Sequence, residues 1–367
     1  MKILIVGFSK IKYMPYINFY LENLDRDKNE VHLLYWNRDL KEEDTSALQG
    51  ITLHEFRRYQ EDDVAKFSKV NSFIAFRKFA KLLLKKEPFD FLIVLHSMPG
   101  VLLRGILKSH FKNRFIFDYR DSTYEKFRFY KRIIGDVVKA SRCTFVSSDG
   151  FRKFLPESEN AKIFTSHNIL LDSLNHREEK TEKGIPSQKI RISFWGFIRH
   201  EDINREMIRK IARDDRFELH YYGREQRVAL NLKAYAKELN AANVFFHGEY
   251  KPEERYEFVR STDLIHNVYC DANMMLAMGN KYYDGAIFRI PQICMADSFM
   301  GKMATEAGIG FMCDPYEDRF TDSVYDYYQG LELSSFYQSC DVALNKVMEE
   351  YHAGNQCCRN IFGTAEK

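Results

Sequence analysis

The sequence predicts an α/β fold with two doubly wound, Rossmann-like domains that face each other across a cleft. Apolar runs alternate with amphipathic ones along the chain, and a polar, charged stretch interrupts this alternation once near the middle. The 367 residues are also enough for two domains of ordinary size. Such alternation is typical of parallel sheets covered by helices on both faces, and their ligands bind at the carboxyl ends of the strands.

The first half shows a regular series of strand and helix patterns. The predicted strands are Lys2–Phe8, Val31–Trp36, Phe89–Leu95, Arg114–Tyr119 and Cys143–Ser147. Helical patterns lie between them, at Tyr13–Leu24, Phe73–Lys86, Gly100–Phe111 and Glu125–Lys139. We therefore assign residues 1–171 to the first domain.

The series stops at residues 172–189, which are polar and charged and contain Gly184 and Pro186, so we interpret them as a linker. It then restarts with the strands Ile190–Trp195, Phe217–Tyr222, Val244–His247 and Leu264–Tyr269, and the helices Asp202–Ala212, Glu225–Leu239 and Pro252–Val259. Residues 190–350 are the predicted second domain. Residues 351–367 form a C-terminal segment that could return to the first domain.

Composition excludes several classes of protein. No apolar run approaches the roughly 20 residues of a membrane-spanning helix, and the first residues read as a strand rather than as a signal peptide. Seven cysteines without metal-type spacing favour a reducing, cytoplasmic setting. A net charge of only +3 without a recognition module argues against nucleic acid as a partner.

The charge is unevenly distributed. Residues 1–180 carry 32 Lys and Arg against 24 Asp and Glu, whereas the remainder carries 23 against 28. Residues 77–86, 104–114 and 126–134 mix basic with aromatic or aliphatic side chains, a composition that suits an anionic membrane surface. Ordinary solvated helix faces over a core are the alternative. We expect a cytoplasmic protein that could work at the inner face of the cytoplasmic membrane.

The segment Gly279–Ile293 is the most informative part of the chain. It places Asn280, Lys281 and Asp284 at the predicted start of a helix. A helix N-terminus has free N–H groups and positive potential, so it suits a diphosphate. Lys281 adds a mobile positive charge, and Asp284 adds an acceptor one turn later. This combination suits a sugar nucleotide.

Other candidate residues follow predicted strands. Asp118, Arg120 and Asp121 end a strand of the first half, where they either pair with one another or face a ligand. Arg199, after Gly196, is placed to clamp a phosphate, although a solvated arginine is the alternative. Two later strands end in glycine segments that would let a nucleotide approach the backbone: Tyr222-Gly223 and His247-Gly248-Glu249-Tyr250.

These segments resemble GT-B-fold glycosyltransferases, in particular the retaining glycosyltransferase family 4, many bacterial members of which build capsule, O-antigen or exopolysaccharide. The resemblance covers nearly the whole layout. It is most specific in Phe194–Arg199, Leu219–Gly223, Phe245–Tyr250, Asn280–Asp284 and Arg289–Ile293, and in the strand-end segment Asp118–Asp121.

The resemblance implies a retaining glycosyltransferase that moves a sugar from a nucleoside diphosphate sugar to a glycan or a polyprenyl-diphosphate-linked acceptor, without a metal or another cofactor. The implied donor-binding residues are Gly196, Arg199, Tyr222, Gly223, His247, Gly248, Tyr250, Asn280, Lys281, Tyr283 and Asp284. The implied catalytic residues of the first domain are Asp118, Arg120 and Asp121.

The chain also departs from the family pattern. Leu276 stands where the family has its first carboxylate, and Asp284 replaces a longer glutamate. Asn204, followed by Arg205, stands where a basic residue is usual, and Arg120 stands where some members have a histidine. Two other functions therefore stay open, namely a nucleotide-sugar epimerase of the same architecture and a non-catalytic GT-B subunit that positions a partner transferase.

Overall fold

The computed structural model describes residues 1–60, 66–179 and 189–363, and the chain divides into two compact units. The first unit comprises Met1–His167 and Glu349–Lys367, and the second comprises Asn168–Met348. Of the predicted linker 172–189, the residues up to 179 belong to a run of 3₁₀ turns, Leu171–Glu179, in the second unit. Residues 180–188 lie outside the described residues.

The described residues of the first unit form a seven-stranded parallel sheet. Its strands are β1 (Lys2–Val6), β2 (Glu30–Asn37), β3 (Thr52–Arg57), β4 (Phe91–Leu95), β5 (Phe115–Tyr119), β6 (Cys143–Val146) and β7 (Ile163–Thr165), in the order β3-β2-β1-β4-β5-β6-β7. All five predicted strands are confirmed. The sequence missed β3 and β7, the two edge strands, because β3 is largely exposed and β7 has only three residues.

Helices cover this sheet. They are α1 (Ile17–Leu21), α2 (Lys66–Lys86), α3 (Ser97–Ser109) and α4 (Arg128–Ala140). The predicted first helix was too long: residues Ile11–Tyr13 form a separate 3₁₀ turn, and α1 begins only after Pro15. Proline has no backbone N–H and restricts the residue before it, so the two segments do not join into one helix.

The described residues of the second unit form a six-stranded parallel sheet. Its strands are β8 (Ile190–Trp195), β9 (Phe217–Tyr222), β10 (Val244–Gly248), β11 (Leu264–Asn267), β12 (Gln292–Met295) and β13 (Gly310–Cys313), in the order β10-β9-β8-β11-β12-β13. The first four agree with the predicted strands. The third, β10, has no buried residue, as expected at a sheet edge.

The helices that follow these strands include those predicted from the sequence. They are α5 (Glu201–Ile211), α6 (Arg227–Glu238), α7 (Arg255–Arg260), α8 (Asn280–Ile287), α9 (Phe299–Glu306), α10 (Phe320–Gln329) and α11 (Leu333–Phe362). The boundary between the units falls within α11, so that residues from Glu349 onward cluster with the first unit. There, Asn355 accepts a hydrogen bond from Asn23 (2.7 Å). None of the described helices is both long and apolar enough to cross a bilayer.

Strand order places a crevice in each unit. In the first sheet, β1 lies between β2 and β4, and in the second, β8 lies between β9 and β11. Chain connections diverge to opposite sides at these points, which opens a crevice beyond the carboxyl ends of the two central strands. The segments after β1, β4, β8 and β11 are therefore the places to look for a site.

Candidate functional site

The loop after β8 lies close to the end of β9. Gly196 has a φ of +117°, a conformation that side chains rarely adopt. A Cβ atom on Gly223 would lie 2.1 Å from the carbonyl oxygen of Gly196, so only glycine fits there. Both glycines, predicted as site residues, thus allow the loop after β8 to lie against the end of β9.

Asn204 holds the backbone of the loop after β8 in place through hydrogen bonds. Its buried amide nitrogen donates to the carbonyl oxygens of Arg199 (2.8 Å) and His200 (3.0 Å). Its amide oxygen accepts from the Tyr221 hydroxyl (2.9 Å) and from His266 Nε2 (3.0 Å). Asn204 therefore holds the backbone on either side of the Arg199–His200 peptide bond in place.

His266 has a single tautomer in this network. Its Nδ1 accepts from the backbone N–H of Val268 (3.1 Å), so Nε2 carries the proton given to Asn204. Burial lowers the pKa of His266 to about 3, so the ring is neutral at neutral pH. The loop is thus supported by uncharged hydrogen bonds.

Lys281 is a buried cation in the first turn of α8. Its Nζ donates to the carbonyl oxygen of Trp195 (3.2 Å) and lies 4.2 Å from the ring centre of Phe194 and 5.1 Å from that of Tyr269. Burial lowers the pKa of Lys281 to about 7; the nearby charge of Asp284 opposes this shift, and that of Arg199 acts in the same direction as burial. Within the described ranges, no carboxylate lies within 4.0 Å of this ammonium.

Arg199 and the start of α8 add positive potential beside Lys281. Arg199 is exposed, with its guanidinium 5.0 Å from the ring centre of Phe197. Asn280 is an exposed residue at the first position of α8, and the N-cap, Gly279, offers no side chain to the free N–H groups. The crevice therefore presents two cations and an open helix N-terminus, which suits an anion.

Asp284 is almost completely buried. Its Oδ2 accepts from Trp195 Nε1 (2.9 Å) and lies 3.7 Å from a terminal guanidinium nitrogen of Arg255. Burial raises the pKa of Asp284, although Arg255 opposes this. Its neighbour Tyr283 is also buried. The carboxylate of Asp284 thus contacts side chains of its own unit and is shielded from solvent.

Aromatic rings line the ends of β9 and β10. The ring of Tyr222 lies between His247 (4.2 Å between ring centres) and Phe258 (4.0 Å), so both of its faces are covered. Tyr250 meets Phe258 edge-on at 5.1 Å. Gly248, with a φ of +81°, turns the chain between His247 and Tyr250. The half-buried Tyr250 and the exposed His247 are the rings of this group that border open space.

In the first unit, Asp118 and Arg120 form a buried ion pair. Arg120 Nε lies 3.0 Å from Asp118 Oδ2, and the same guanidinium donates to Ser166 Oγ (2.8 Å) and covers the ring of Tyr16 at 4.0 Å. Burial raises the pKa of Asp118 against the opposing effect of Arg120. Of the three residues predicted at this strand end, only Asp121 is half-exposed.

His96 is a further candidate residue, which the sequence analysis did not name. It directly follows β4, has a φ of 77°, and accepts from the backbone N–H of Met98 through Nδ1 (3.3 Å). Its Nε2 lies 3.8 Å from Asp121 Oδ2, and burial lowers its pKa. Both residues line a cavity of about 370 Å³ that also includes Tyr16 and Arg38. In the sequence, the position of His96 directly after a predicted strand could have indicated it as a candidate.

The predicted basic and aromatic stretch 126–134 borders an open groove of about 640 Å³. The groove is lined by Arg104, Arg128, Lys131, Arg132 and Lys139, with Asp136 as its single acidic member among the described residues. Phe127 and Phe129 are exposed nearby, whereas Tyr130 and Ile134 pack into the core. The stretch thus has an exposed side with basic and aromatic residues and a side that packs into the core.

The chain matches no family model, and no curated protein matches its sequence. Solved structures do match its fold. HepE from Anabaena in complex with UDP has a TM-score of 0.67 at 12% identity over 97% of this chain and 98% of its own. Sucrose-phosphate synthase from Thermosynechococcus elongatus has 0.66 at 10% identity over both whole chains. The apo form of the lipopolysaccharide outer core galactosyltransferase WaaB has 0.62 at 12% identity, over 96% of this chain and 99% of its own. The chain therefore has the GT-B fold of these glycosyltransferases.

Proposed function

We propose that the protein is a retaining glycosyltransferase that moves a hexose-like sugar from a nucleoside diphosphate sugar to a glycan or lipid-linked acceptor. The observation that carries this proposal is Lys281, a buried ammonium without a carboxylate at ion-pair distance in the described part of the unit. Arg199 and the open start of α8 face the same crevice. A diphosphate is an anion of the right charge for this arrangement.

The same cations favour transfer as well as binding. Negative charge grows on the diphosphate as its bond to the sugar breaks, and Lys281 and Arg199 would stabilise that charge in place of a metal ion. We propose that transfer needs no metal or other cofactor. The exposed amide of Asn280 and the N–H groups of α8 would bind the same phosphates.

The fold neighbours support a first choice of donor to test. HepE has been solved with UDP and with UDP-glucose, so uridine diphosphate sugars are the first donors to test. Gly196, Gly223 and Gly248 would let the nucleotide approach the backbone, and His247 and Tyr250 would border its base. Asp284 uses Oδ2 for Trp195 and Arg255, which leaves Oδ1 for a ribose or sugar hydroxyl.

The acceptor would bind to the first unit. His96 and Asp121 line its cavity and would contact the acceptor hydroxyl, whereas Asp118 and Arg120 would position this strand end from within the core. A polyprenyl-diphosphate-linked glycan at the inner face of the cytoplasmic membrane fits the basic groove and the exposed Phe127 and Phe129. This would place the protein in surface polysaccharide biosynthesis.

Transfer is tested with radiolabelled UDP-sugars and a polyprenyl-diphosphate-linked glycan, with EDTA present. Labelled product with retained anomeric configuration by NMR is expected, and Lys302→Ala, which changes an exposed lysine of the same unit, should behave as wild type. Isomerised donor without transfer would instead identify an epimerase. Donor binding without any turnover across the acceptor panel would identify a non-catalytic subunit.

Membrane binding is tested separately with anionic and neutral vesicles. Binding to anionic vesicles should fall as salt rises, because exposed charges are screened within roughly 8–10 Å at physiological ionic strength. Changing Lys131 and Arg132 to Gln should weaken it, whereas the same change at Lys233 and Lys237 of the second unit should not. Equal indifference to both kinds of vesicle at low salt would remove this part of the proposal.

A further inference from the structure

Two histidines and a glutamate meet at the opposite end of the first sheet from the cavity of His96. His32 lies in β2, His54 in the edge strand β3, and Glu87 directly follows α2. His32 Nδ1 lies 2.8 Å from His54 Nε2 and 3.8 Å from Glu87 Oε2. One ligand atom from each of the three residues lies within 4.8 Å of the others.

A fourth residue sets the tautomer of His32. Glu30 Oε1 lies 2.8 Å from His32 Nε2, so this nitrogen carries a proton and donates it to the carboxylate. The lone pair of His32 is then on Nδ1, which points at His54 and Glu87. A histidine that donates its second ring N–H to a carboxylate while its other nitrogen faces a cluster is the arrangement found around metal ligands.

We propose that His32 Nδ1, His54 Nε2 and the carboxylate of Glu87 bind a divalent transition-metal ion of the zinc class. Two imidazoles and one carboxylate form a ligand set that zinc and cobalt accept, with water in the fourth position. His54 and Glu87 are half-buried, so an ion can enter from solvent. Because the ligands come from β2, β3 and the end of α2, the ion would fasten the edge strand and this helix to the sheet.

Binding needs a small local change. Tetrahedral coordination at zinc–nitrogen distances of about 2.0–2.1 Å separates two ligand nitrogens by roughly 3.3 Å, so the His32–His54 contact must open by about half an ångström. His54 must also carry its proton on Nδ1 instead of Nε2. Lys2 lies 2.9 Å from Glu87 Oε2 and 3.1 Å from Glu30 Oε1, so it can keep Glu30 as a partner when the ion takes Glu87.

The second unit contains the same arrangement without the third ligand. His220 Nδ1 lies 2.9 Å from His247 Nε2, and His220 Nε2 lies 3.2 Å from Glu218, as in the pair of the first unit. Arg191, paired with Glu218, stands where Lys2 stands.

A hydrogen bond that occurs in both units shows which residue of the second unit corresponds to Glu87. Asp90 accepts from the backbone N–H of Lys2 (2.7 Å), and Asp263 accepts from that of Arg191 (2.9 Å). Glu87 precedes Asp90 by three residues, and Arg260 precedes Asp263 by three. An arginine cannot bind a metal, so the second unit is a matched internal control.

The test uses the full chain, stripped with EDTA and titrated with CoCl₂ and ZnCl₂. We expect one Co²⁺ per chain with visible d–d absorption of a tetrahedral site, displaced by Zn²⁺, and a rise in the first unit's Tm with Zn²⁺. His54→Gln and Glu87→Gln should each weaken Zn²⁺ binding by at least 10-fold, whereas His247→Gln should leave it unchanged. Circular dichroism checks that each variant folds.

Three results would overturn the proposal. The first is the absence of stoichiometric Co²⁺ binding to the wild type. The second is a thiolate charge-transfer band, which would assign the ion to the cysteines. The third is Zn²⁺ affinity that survives in both His54→Gln and Glu87→Gln, or that is lost in His247→Gln.

Discussion

The two units share a scaffold but balance their buried charges differently. In each, a central strand lies beside a strand with a Glu-x-His sequence, which is Glu30-Val31-His32 in the first unit and Glu218-Leu219-His220 in the second. The edge strand next to it contributes a second histidine. At the carboxyl ends, the first unit pairs a buried cation, Arg120, with Asp118. The second leaves Lys281 with a backbone carbonyl and two aromatic rings.

Under the proposed function, the charge of Arg120 stabilises the fold, whereas the charge of Lys281 is available to a ligand. A buried ion pair that loses one partner leaves the other uncompensated, so Arg120 and Asp118 depend on each other for stability. A buried cation without a carboxylate raises the energy of its own charged state, as the lowered pKa of Lys281 indicates. An anion that enters the crevice removes this cost, which couples binding to the charge of Lys281.

The largest expected effect is a loss of protein stability when the ion pair of Arg120 and Asp118 is broken. Arg120→Ala leaves Asp118 buried and unpaired, and should lower the free energy of unfolding by about 3–5 kcal/mol. Arg205→Ala, which breaks a half-exposed pair with Glu201, should cost no more than about 1 kcal/mol. Urea denaturation of both variants measures the contrast. Equal, small losses would mean that Arg120 is not the structural cation of the first unit.

Substitution of Lys281, which has no carboxylate at ion-pair distance among the described residues, should lower activity and not stability. Lys281→Met removes a buried charge and keeps most of the side-chain volume, so it should leave stability unchanged or raised, yet lower kcat/KM for transfer by about 100-fold or more because charge on the leaving diphosphate is no longer stabilised. Arg199→Ala should act in the same direction. Steady-state kinetics and thermal melts on the same preparations provide the comparison. Full activity and unchanged UDP affinity in both variants would refute the assignment.

Asp284 tests how far the ligand reaches into the second unit. Asp284→Asn keeps the shape and removes the charge, and should weaken UDP-glucose binding by roughly 1.5–3 kcal/mol, the worth of a charge-assisted hydrogen bond. Asp284→Glu should bind no better than wild type, since the site holds the shorter side chain. Asp326→Asn, an exposed change in the same unit, is the control. A lower Tm with unchanged calorimetric affinity would make Asp284 purely structural.

The smallest expected effect is the pH dependence of binding. Lys281 in the free protein has a pKa of about 7, and a bound diphosphate should raise it. Affinity for UDP-glucose should therefore fall as pH rises above about 7, by at most about 10-fold per pH unit, and be constant well below 7. Lys281→Met should flatten this profile. A wild-type profile that is equally flat between pH 6 and 9 would mean that the ammonium does not contact the phosphates.

Local sequence patterns predicted much of the fold and part of the site. Strands such as β4 and β5 are buried along their whole length, and a continuous apolar run is visible in any sequence. Gly196, Arg199, Lys281 and Asp284 became candidates because each lies next to a strand or helix end, where the chain order itself indicates the carboxyl edge of a sheet. The edge strand β3 was missed because only Phe56 in it is fully buried.

Only the tertiary structure decided which of these charges have partners. The pairing of Arg120 with Asp118, the support of the Arg199 backbone by Asn204 and the cover of Asp284 by Trp195 depend on how side chains from separate strands and helices pack. The cluster of His32, His54 and Glu87 has no motif spacing, because its members come from three elements that meet only in the folded sheet. Sequence determines which groups a chain carries to the ends of its strands, whereas burial and neighbours determine their charge, and these exist only once the chain has folded.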